Sequence, residues 1–68
     1  MSSVHCNLRV LMAERQLNIQ QIKDKTTLSR TTISNLYNNK GAGVRFSTIS
    51  QLCKLLNCQP GDLFRYQE

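Results

Sequence analysis

The stretch Leu17–Lys40, LNIQQIKDKTTLSRTTISNLYNNK, contains two short helical patterns, each preceded by a residue that favours a helix N-terminus. Asn18 precedes residues 19–25, and Ser29 precedes residues 30–38. Asparagine and serine side chains cap the first free backbone N–H groups of a helix. Only three residues separate the first pattern from Ser29. A short helix, a turn of three or four residues and a second short helix form a helix-turn-helix unit, which we predict here.

The second helix of this unit has an unusual composition on its outer side. On a helical wheel its inward positions are Ile33, Leu36 and Tyr37. The opposite side carries Thr31, Ser34, Asn35 and Asn38, with Arg30 at its edge. Such short polar side chains lower the stability of a helix, so a group of them on one side indicates a role other than helix formation. Presenting compact donors and acceptors to base edges in a DNA major groove is one such role. A marginal surface helix held only by its apolar side is the alternative.

A first helix is predicted nearer the N-terminus from apolar residues at helical spacing: Val4, Leu8, Leu11 and Met12. Ser2 or Ser3 would cap this helix, and it would end near Arg15 or Gln16. Leu28 is expected to fill the angle between the second and third helices.

Two more helices are predicted after a stop at residues 38–43, where Asn and Gly accept left-handed backbone. Val44 and Phe46 are expected to return to the core. The fourth helix would follow Ser47 and carry apolar residues at helical spacing: Ile49, Leu52, Cys53 and Leu56. Pro60 suits the first position of a short fifth helix, after which Leu63 and Phe64 would close the core. No segment alternates with period two, so we predict an all-α domain of five helices.

Length and composition limit the classes of function. The chain has 68 residues, of which 40% are hydrophobic, which suffices for one small core and for a single domain over residues 1–68. An enzyme is not expected, since so short a chain buries little surface around a cleft. No apolar run approaches the length of a membrane span, and the N-terminus lacks the pattern of a secretory signal. We therefore expect a cytoplasmic protein.

The charge indicates a polyanionic partner, with nucleic acid favoured over an anionic membrane. Nine Lys and Arg residues face four acids, a net charge of +5. No acid occurs between Asp24 and Asp62, whereas five basic residues do: Lys25, Arg30, Lys40, Arg45 and Lys54. A carboxylate on a phosphate-facing surface would oppose the backbone charge. Solubility alone is the other explanation of the basic bias.

The cysteines and the histidine do not indicate a metal site or a catalytic one. Cys6, Cys53 and Cys58 form no Cys-x-x-Cys pair, and His5 is the one histidine. Cys53 lies in an apolar helical pattern and is expected to be buried. No nucleophile with a suitable base is apparent. We expect no metal, no cofactor and no small-molecule substrate.

The stretch at residues 17–40 resembles the helix-turn-helix of the Cro and lambda-repressor-like (Xre-type) transcriptional regulators, with the unit at about residues 19–38. LSRTTISNL, residues 28–36, is similar to the turn and recognition helix of that family. STISQLCKLLNCQPGDLFRY, residues 47–66, is similar to its closing two helices, and LNCQPGDLF is typical of a small stand-alone branch. The resemblance covers nearly the whole chain and implies a compact five-helix DNA-binding domain.

The resemblance also implies roles for individual residues. It places three residues where members of the family contact base edges: Arg30, Thr31 and Asn35. It places seven near phosphates, Ser29 also as the helix cap: Ser29, Thr32, Ser34, Asn38, Lys40, Arg45 and Gln20.

Three positions depart from the family pattern. Ile19 stands where glutamine is usual, with Gln20 next, which questions one phosphate contact. Lys23 replaces a small alanine and questions how closely the two motif helices cross. Thr27 replaces the turn glycine, which predicts a strained or rearranged turn, because a β-branched residue disfavours positive φ.

The sequence therefore predicts a sequence-specific DNA-binding transcriptional regulator, a repressor, that reads a near-palindromic operator as a homodimer. The dimer would use residues around the last two helices, with Leu63 and Phe64 better explained as core and Tyr66 freer. The alternative is a protein-interaction module of the antitoxin or anti-repressor type. Such a module should expose large apolar anchors on the helix at residues 30–38, and none is present. Single-stranded RNA binding would need exposed aromatic residues, and a membrane-surface role would need a broad apolar helix face. The sequence is not expected to provide either feature.

Overall fold

Five helices and a two-stranded ribbon make up the computed structural model, which describes residues 3–40 and 43–67. In chain order the elements are β1 (Ser3–Cys6), α1 (Leu8–Glu14), α2 (Ile19–Lys25), α3 (Arg30–Tyr37), α4 (Phe46–Leu56), α5 (Pro60–Leu63) and β2 (Phe64–Gln67). The prediction of five helices is confirmed.

The two strands correct the all-α prediction. β1 pairs antiparallel with β2, with Ser3 opposite Gln67 and Cys6 opposite Phe64. Each strand has four residues, so it is too short to show a period-two pattern in the sequence. The pairing brings together the two ends of the described chain, which local periodicity cannot reveal.

The start of the first helix was also predicted wrongly. Val4 lies in β1 and is 62% exposed, and α1 begins only at Leu8. Ser3 is a strand residue instead of a cap, while Ser2 lies outside the described residues. Asn7 precedes α1 without a capping bond from its side chain. Its backbone N–H instead donates to the carbonyl oxygen of Leu63 at 2.6 Å, because the ribbon holds the entry to α1 beside the end of α5.

The core is formed by one set of buried side chains from all five helices and β1: Cys6, Leu8, Leu11, Met12, Ile22, Ile33, Leu52, Leu56 and Leu63. Leu28 is half-buried against this set, as expected for a residue at the angle between α2 and α3. Leu36, Tyr37 and Phe64 also pack against it from half-buried positions. Cys53 is half-buried, less than the sequence predicted.

Phe46 was predicted to return to the core and is instead 88% exposed. It is the first residue of α4, whose buried positions are Thr48, Leu52 and Leu56. At 100° per residue, Phe46 lies about 200° from Thr48 and therefore points away from the core. Val44 is half-buried.

Two helices end with the same hydrogen-bonded motif. After α3, the Lys40 N–H donates to the Asn35 carbonyl at 2.7 Å and the Asn39 N–H donates to the Leu36 carbonyl at 3.2 Å. Asn39 is left-handed, with φ 57°, which completes a Schellman motif. α1 ends in the same way around Gln16, with φ 55°. The predicted stop after residue 38 is therefore confirmed at Asn39, while residues 41 and 42 lie outside the described residues.

None of the helices in the described part of the chain is both long and apolar enough to span a bilayer.

Candidate nucleic-acid interface

The caps predicted for the two motif helices are present. The Gln21 N–H donates to the Asn18 side-chain oxygen at 2.8 Å, and the Asn18 N–H donates to the Gln21 side chain at 2.8 Å. This reciprocal pair is a capping box. Ser29 Oγ accepts from the Thr32 N–H at 3.1 Å. The caps fix where α2 and α3 begin, and so fix the position of α3 relative to the turn.

Thr27 does not strain the turn between α2 and α3. The non-glycine residues with positive φ in the described ranges are Gln16, Asn39 and Asn57, so Thr27 does not carry the conformation that would disfavour it. α2 instead ends in an extended residue, Thr26, with φ −135°. A threonine at position 27 therefore fits the backbone that this chain adopts.

The turn is tied to α4 by a residue that the sequence did not single out. Gln51 accepts through Oε1 from the Thr27 N–H at 2.8 Å and lies 3.1 Å from the Thr27 hydroxyl. Thr26 Oγ1 donates to the Ile22 carbonyl at 2.7 Å and accepts from the Leu28 N–H at 3.2 Å. Sequence reasoning had no signal for Gln51, since its partner lies 24 positions away.

Lys23 does not obstruct the packing of the motif helices. Its side chain is exposed, whereas Ile22 and Ile33 are fully buried where α2 and α3 meet the core. The departure from a small residue at position 23 is therefore accommodated by pointing the lysine to solvent.

The outer face of α3 carries the residues predicted to contact base edges. Thr31 and Asn35 are exposed, and Arg30 is exposed at the start of the helix. The Arg30 guanidinium donates to Gln20 Oε1, and Gln20 Nε2 donates to Asp24 Oδ1 at 2.9 Å. This chain of bonds holds Arg30 against α2. It also places the carboxylate of Asp24 beside Gln20. Asp24 bounds the acid-free interval of the sequence, so the sequence did not indicate that an acid lies this near to Arg30.

The residues predicted to contact phosphates fall into two groups by exposure. Ser29, Asn38, Lys40, Arg45 and Gln20 are exposed, whereas Thr32 and Ser34 are half-buried. Ser29 Oγ and Thr32 Oγ1 lie 3.0 Å apart. Asn38 Nδ2 donates to the Ser34 carbonyl at 2.9 Å. In residues 3–40 and 43–67, neither Lys40 nor Arg45 forms an ion pair.

The thiols and acids in the described ranges do not cluster. The described residues include no group of three or more His, Cys, Asp or Glu side chains that could hold a metal ion. All three cysteines are free. Burial raises the pKa of the Cys6 thiol. Burial, and then the neighbouring Cys53, raise the pKa of Cys58. Raised pKa values favour the protonated, less nucleophilic form of both thiols at neutral pH.

An exposed polar helix on a capped helix-turn-helix is the arrangement of a DNA-binding domain. A family model described as the Cro/C1-type HTH DNA-binding domain matches residues 7–68. The chain therefore belongs to this family of DNA-binding transcriptional regulators.

Two known proteins are similar to this chain. One is the uncharacterized HTH-type transcriptional regulator YozG of Bacillus subtilis (strain 168), which is 33% identical over 61 residues, covering 90% of this chain and 73% of YozG. The other is the crystal structure of the transcriptional regulator VanUg, with a TM-score of 0.78 and 24% identity over 97% of this chain and 87% of that one. The likeness to VanUg supports the fold.

Proposed function

We propose that this protein is a sequence-specific transcriptional repressor that reads a near-palindromic operator through the major groove. The outer face of α3 is the observation that carries the proposal. It presents Thr31 and Asn35 to solvent beside Arg30, and α3 contains no carboxylate and no large exposed apolar residue. Such a face suits base edges better than it suits a protein partner, which favours aromatic and apolar anchors.

Each of these three side chains has the chemistry to read a base. Arginine can donate two bonds to guanine O6 and N7, asparagine can bond adenine N6 and N7, and the threonine methyl can contact thymine. We expect a half-site that contains a guanine and an adenine or thymine within about five base pairs. When the domain binds DNA, the Arg30 guanidinium exchanges its bond to Gln20 for bonds to guanine.

The phosphate contacts position the domain on the duplex. We assign this role to the residues around the reading helix: Ser29, Thr32, Ser34, Asn38, Lys40, Arg45 and Gln20. Lys40 and Arg45 are exposed on either side of the loop after α3 and supply net positive charge. Repression is favoured over activation because occupying a promoter can block transcription without any further contact surface.

A small domain makes few contacts, so a second copy on a palindromic site would raise affinity and specificity. Leu63 is fully buried and Phe64 is half-buried, so both serve the core. Tyr66 is 62% exposed and lies opposite the equally exposed Val4 in the ribbon. We therefore place the contact between copies at the Val4–Tyr66 pair.

A randomised-duplex selection tests the proposal. The parent protein and the variants Arg30→Ala, Thr31→Ala and Asn35→Ala are each used to select sequences from one pool. We expect the parent to select a near-palindrome and Arg30→Ala to relax one position per half-site. Binding of Arg30→Ala to the preferred site should weaken by about 1–3 kcal/mol, and its binding to unrelated DNA by less.

Light scattering with and without the selected duplex measures whether two copies bind together. If all four proteins select the same sequence with the same stringency, α3 is not the reader. If the parent selects no sequence, the domain is a non-specific DNA binder or a protein-interaction module.

A further inference from the structure

Arg9 on α1 lies against the end of the reading helix although it is outside the helix-turn-helix. Its guanidinium carbon is 4.7 Å from the centroid of the Tyr37 ring. Its Nη2 donates to Asn38 Oδ1 at 3.4 Å. Stacking on an aromatic ring orients the flat guanidinium group. Arg9 is therefore held in place by two residues at the C-terminal end of α3.

Arg9 has no counter-ion among residues 3–40 and 43–67. The carboxylates there are engaged elsewhere: Glu14 with Arg15 at 3.3 Å, Asp24 with Gln20 at 2.9 Å, and Asp62 with the Gln59 N–H at 2.9 Å. Both partners of Arg9 are neutral. A guanidinium group has five N–H donors, and one long bond to Asn38 leaves most of them available. The side chain is exposed, so an anion can reach it.

The surroundings of Arg9 favour an anion. A single open groove of about 540 Å³ between α1, α2 and α3 is lined by Arg9, Tyr37, Gln20 and Arg30. The other described residues that line it are uncharged. The groove therefore brings the charge of Arg9 to the same side of the domain as Arg30. An anion of repeating phosphodiester chemistry can engage such separated cationic groups together.

We propose that Arg9 binds a backbone phosphate of DNA and that α1 thereby helps to set how α3 lies on the duplex. The assignment rests on the proposed function. Asn38 is a positioning residue for this contact, because its amide oxygen holds Arg9 while its amide nitrogen is bonded to the Ser34 carbonyl. Since Tyr37 and Asn38 already order the guanidinium group, binding costs less side-chain freedom.

The test is the salt dependence of binding to a labelled mixed-sequence duplex of about 20 base pairs, measured by fluorescence anisotropy. Each phosphate contact contributes about 0.9 to the slope of log K against log salt. Arg9→Ala should lower the slope by that amount. When salt rises fourfold, the Kd of the parent should then increase about 3.5-fold more than that of Arg9→Ala. Arg9→Lys should keep the slope because it keeps the charge.

Lys54→Ala is the matched control for the loss of one positive charge. Lys54 lies on α4 beside Lys25, Gln51 and Leu55, around a different hollow from that of Arg9. Its removal should leave the slope unchanged. Asn38→Ala should lose its own phosphate contact in either background, and its loss should be larger in the parent than in the Arg9→Ala background, because only in the parent does it also act through Arg9. Circular dichroism of each variant verifies that the helices are intact.

The outcomes separate this assignment from the proposed function. If Lys40→Ala lowers the slope and Arg9→Ala does not, the Arg9 contact is refuted and the DNA-binding function stands. If Lys54→Ala lowers the slope as much as Arg9→Ala does, net charge explains the effect and the contact is also refuted. If the parent shows no salt-dependent binding to any duplex, both proposals fail.

Discussion

Substitution of Asn39 tests how α3 is attached to the rest of the domain. Asn39 ends α3 in the left-handed conformation, with φ 57°. Its side-chain oxygen accepts from the Cys6 N–H, and its Nδ2 donates to the Cys6 carbonyl at 3.2 Å. One side chain thus stops α3 and ties it to β1, across 33 positions of sequence.

Two variants divide these contributions. Asn39→Gly keeps the left-handed backbone and removes both bonds, each of which contributes about 0.5–1.5 kcal/mol net, so it should cost about 1–3 kcal/mol. Asn39→Ala also places a non-glycine residue without local hydrogen bonding in that conformation, which adds about 1–2 kcal/mol. The total of about 2–5 kcal/mol compares with a free energy of unfolding near 5 kcal/mol for a small domain. Asn39→Ala should therefore retain no more than about 3 kcal/mol of its free energy of unfolding and reach its unfolding midpoint at a much lower urea concentration than the parent.

Urea unfolding followed by circular dichroism measures these free energies. Asn57 provides the control, because it is also left-handed, with φ 53°, and its side chain has no hydrogen-bond partner within residues 3–40 and 43–67. Asn57→Gly should stay within about 0.5 kcal/mol of the parent, the usual range for a surface change. The reasoning would be refuted if Asn39→Gly were as stable as the parent, or if Asn39→Ala and Asn39→Gly were equally stable.

Two further predictions concern the core and the thiols. Ile33→Ala empties a fully buried site and should lower the free energy of unfolding by about 2–5 kcal/mol, whereas Leu36→Ala, at a half-buried site, should lower it by less. Thermal unfolding measures both variants. If Leu36→Ala were the less stable of the two, α3 would be rotated relative to the structure. Burial raises the pKa of Cys6, so the folded state holds the thiol proton more tightly than the unfolded state does. Its contribution to stability is therefore complete below the ordinary thiol pKa and is lost as the pH rises through the raised value. Urea midpoints measured from neutral to alkaline pH should fall more steeply for the parent than for Cys6→Ala, and equal slopes would contradict the assignment.

The helix-turn-helix could be predicted from the sequence because its signals are local. Asn18 and Ser29 mark helix starts because each side chain accepts a hydrogen bond from a backbone N–H only three residues along the chain. The inward side of α3 follows from the 3.6-residue period, which Ile33 confirms by its complete burial. Pro60 likewise marks the start of α5. The roles of Arg30, Thr31 and Asn35 toward bases remain predictions, although their exposure is consistent with those roles.

The contacts that place this unit in the domain could not be predicted, because they join distant residues. Val4 lies in the ribbon of β1 and β2 and not in the first helix, and Phe46 lies on the solvent-facing side of α4. Strands of four residues are too short to show a period-two pattern, and the residue types around position 46 do not indicate which way Phe46 points.

By itself, the sequence determined where four of the five helices start to within two residues, which face of α3 is apolar, and that the middle of the chain is basic. These properties depend on side chains within a turn or two of one another, so local physical chemistry specifies them. Only the tertiary structure decided that Gln51 anchors the turn, that Asn39 joins α3 to β1, and that Arg9 stacks on Tyr37. Each of these contacts spans more than 20 positions, so it exists only after the core has brought the helices together.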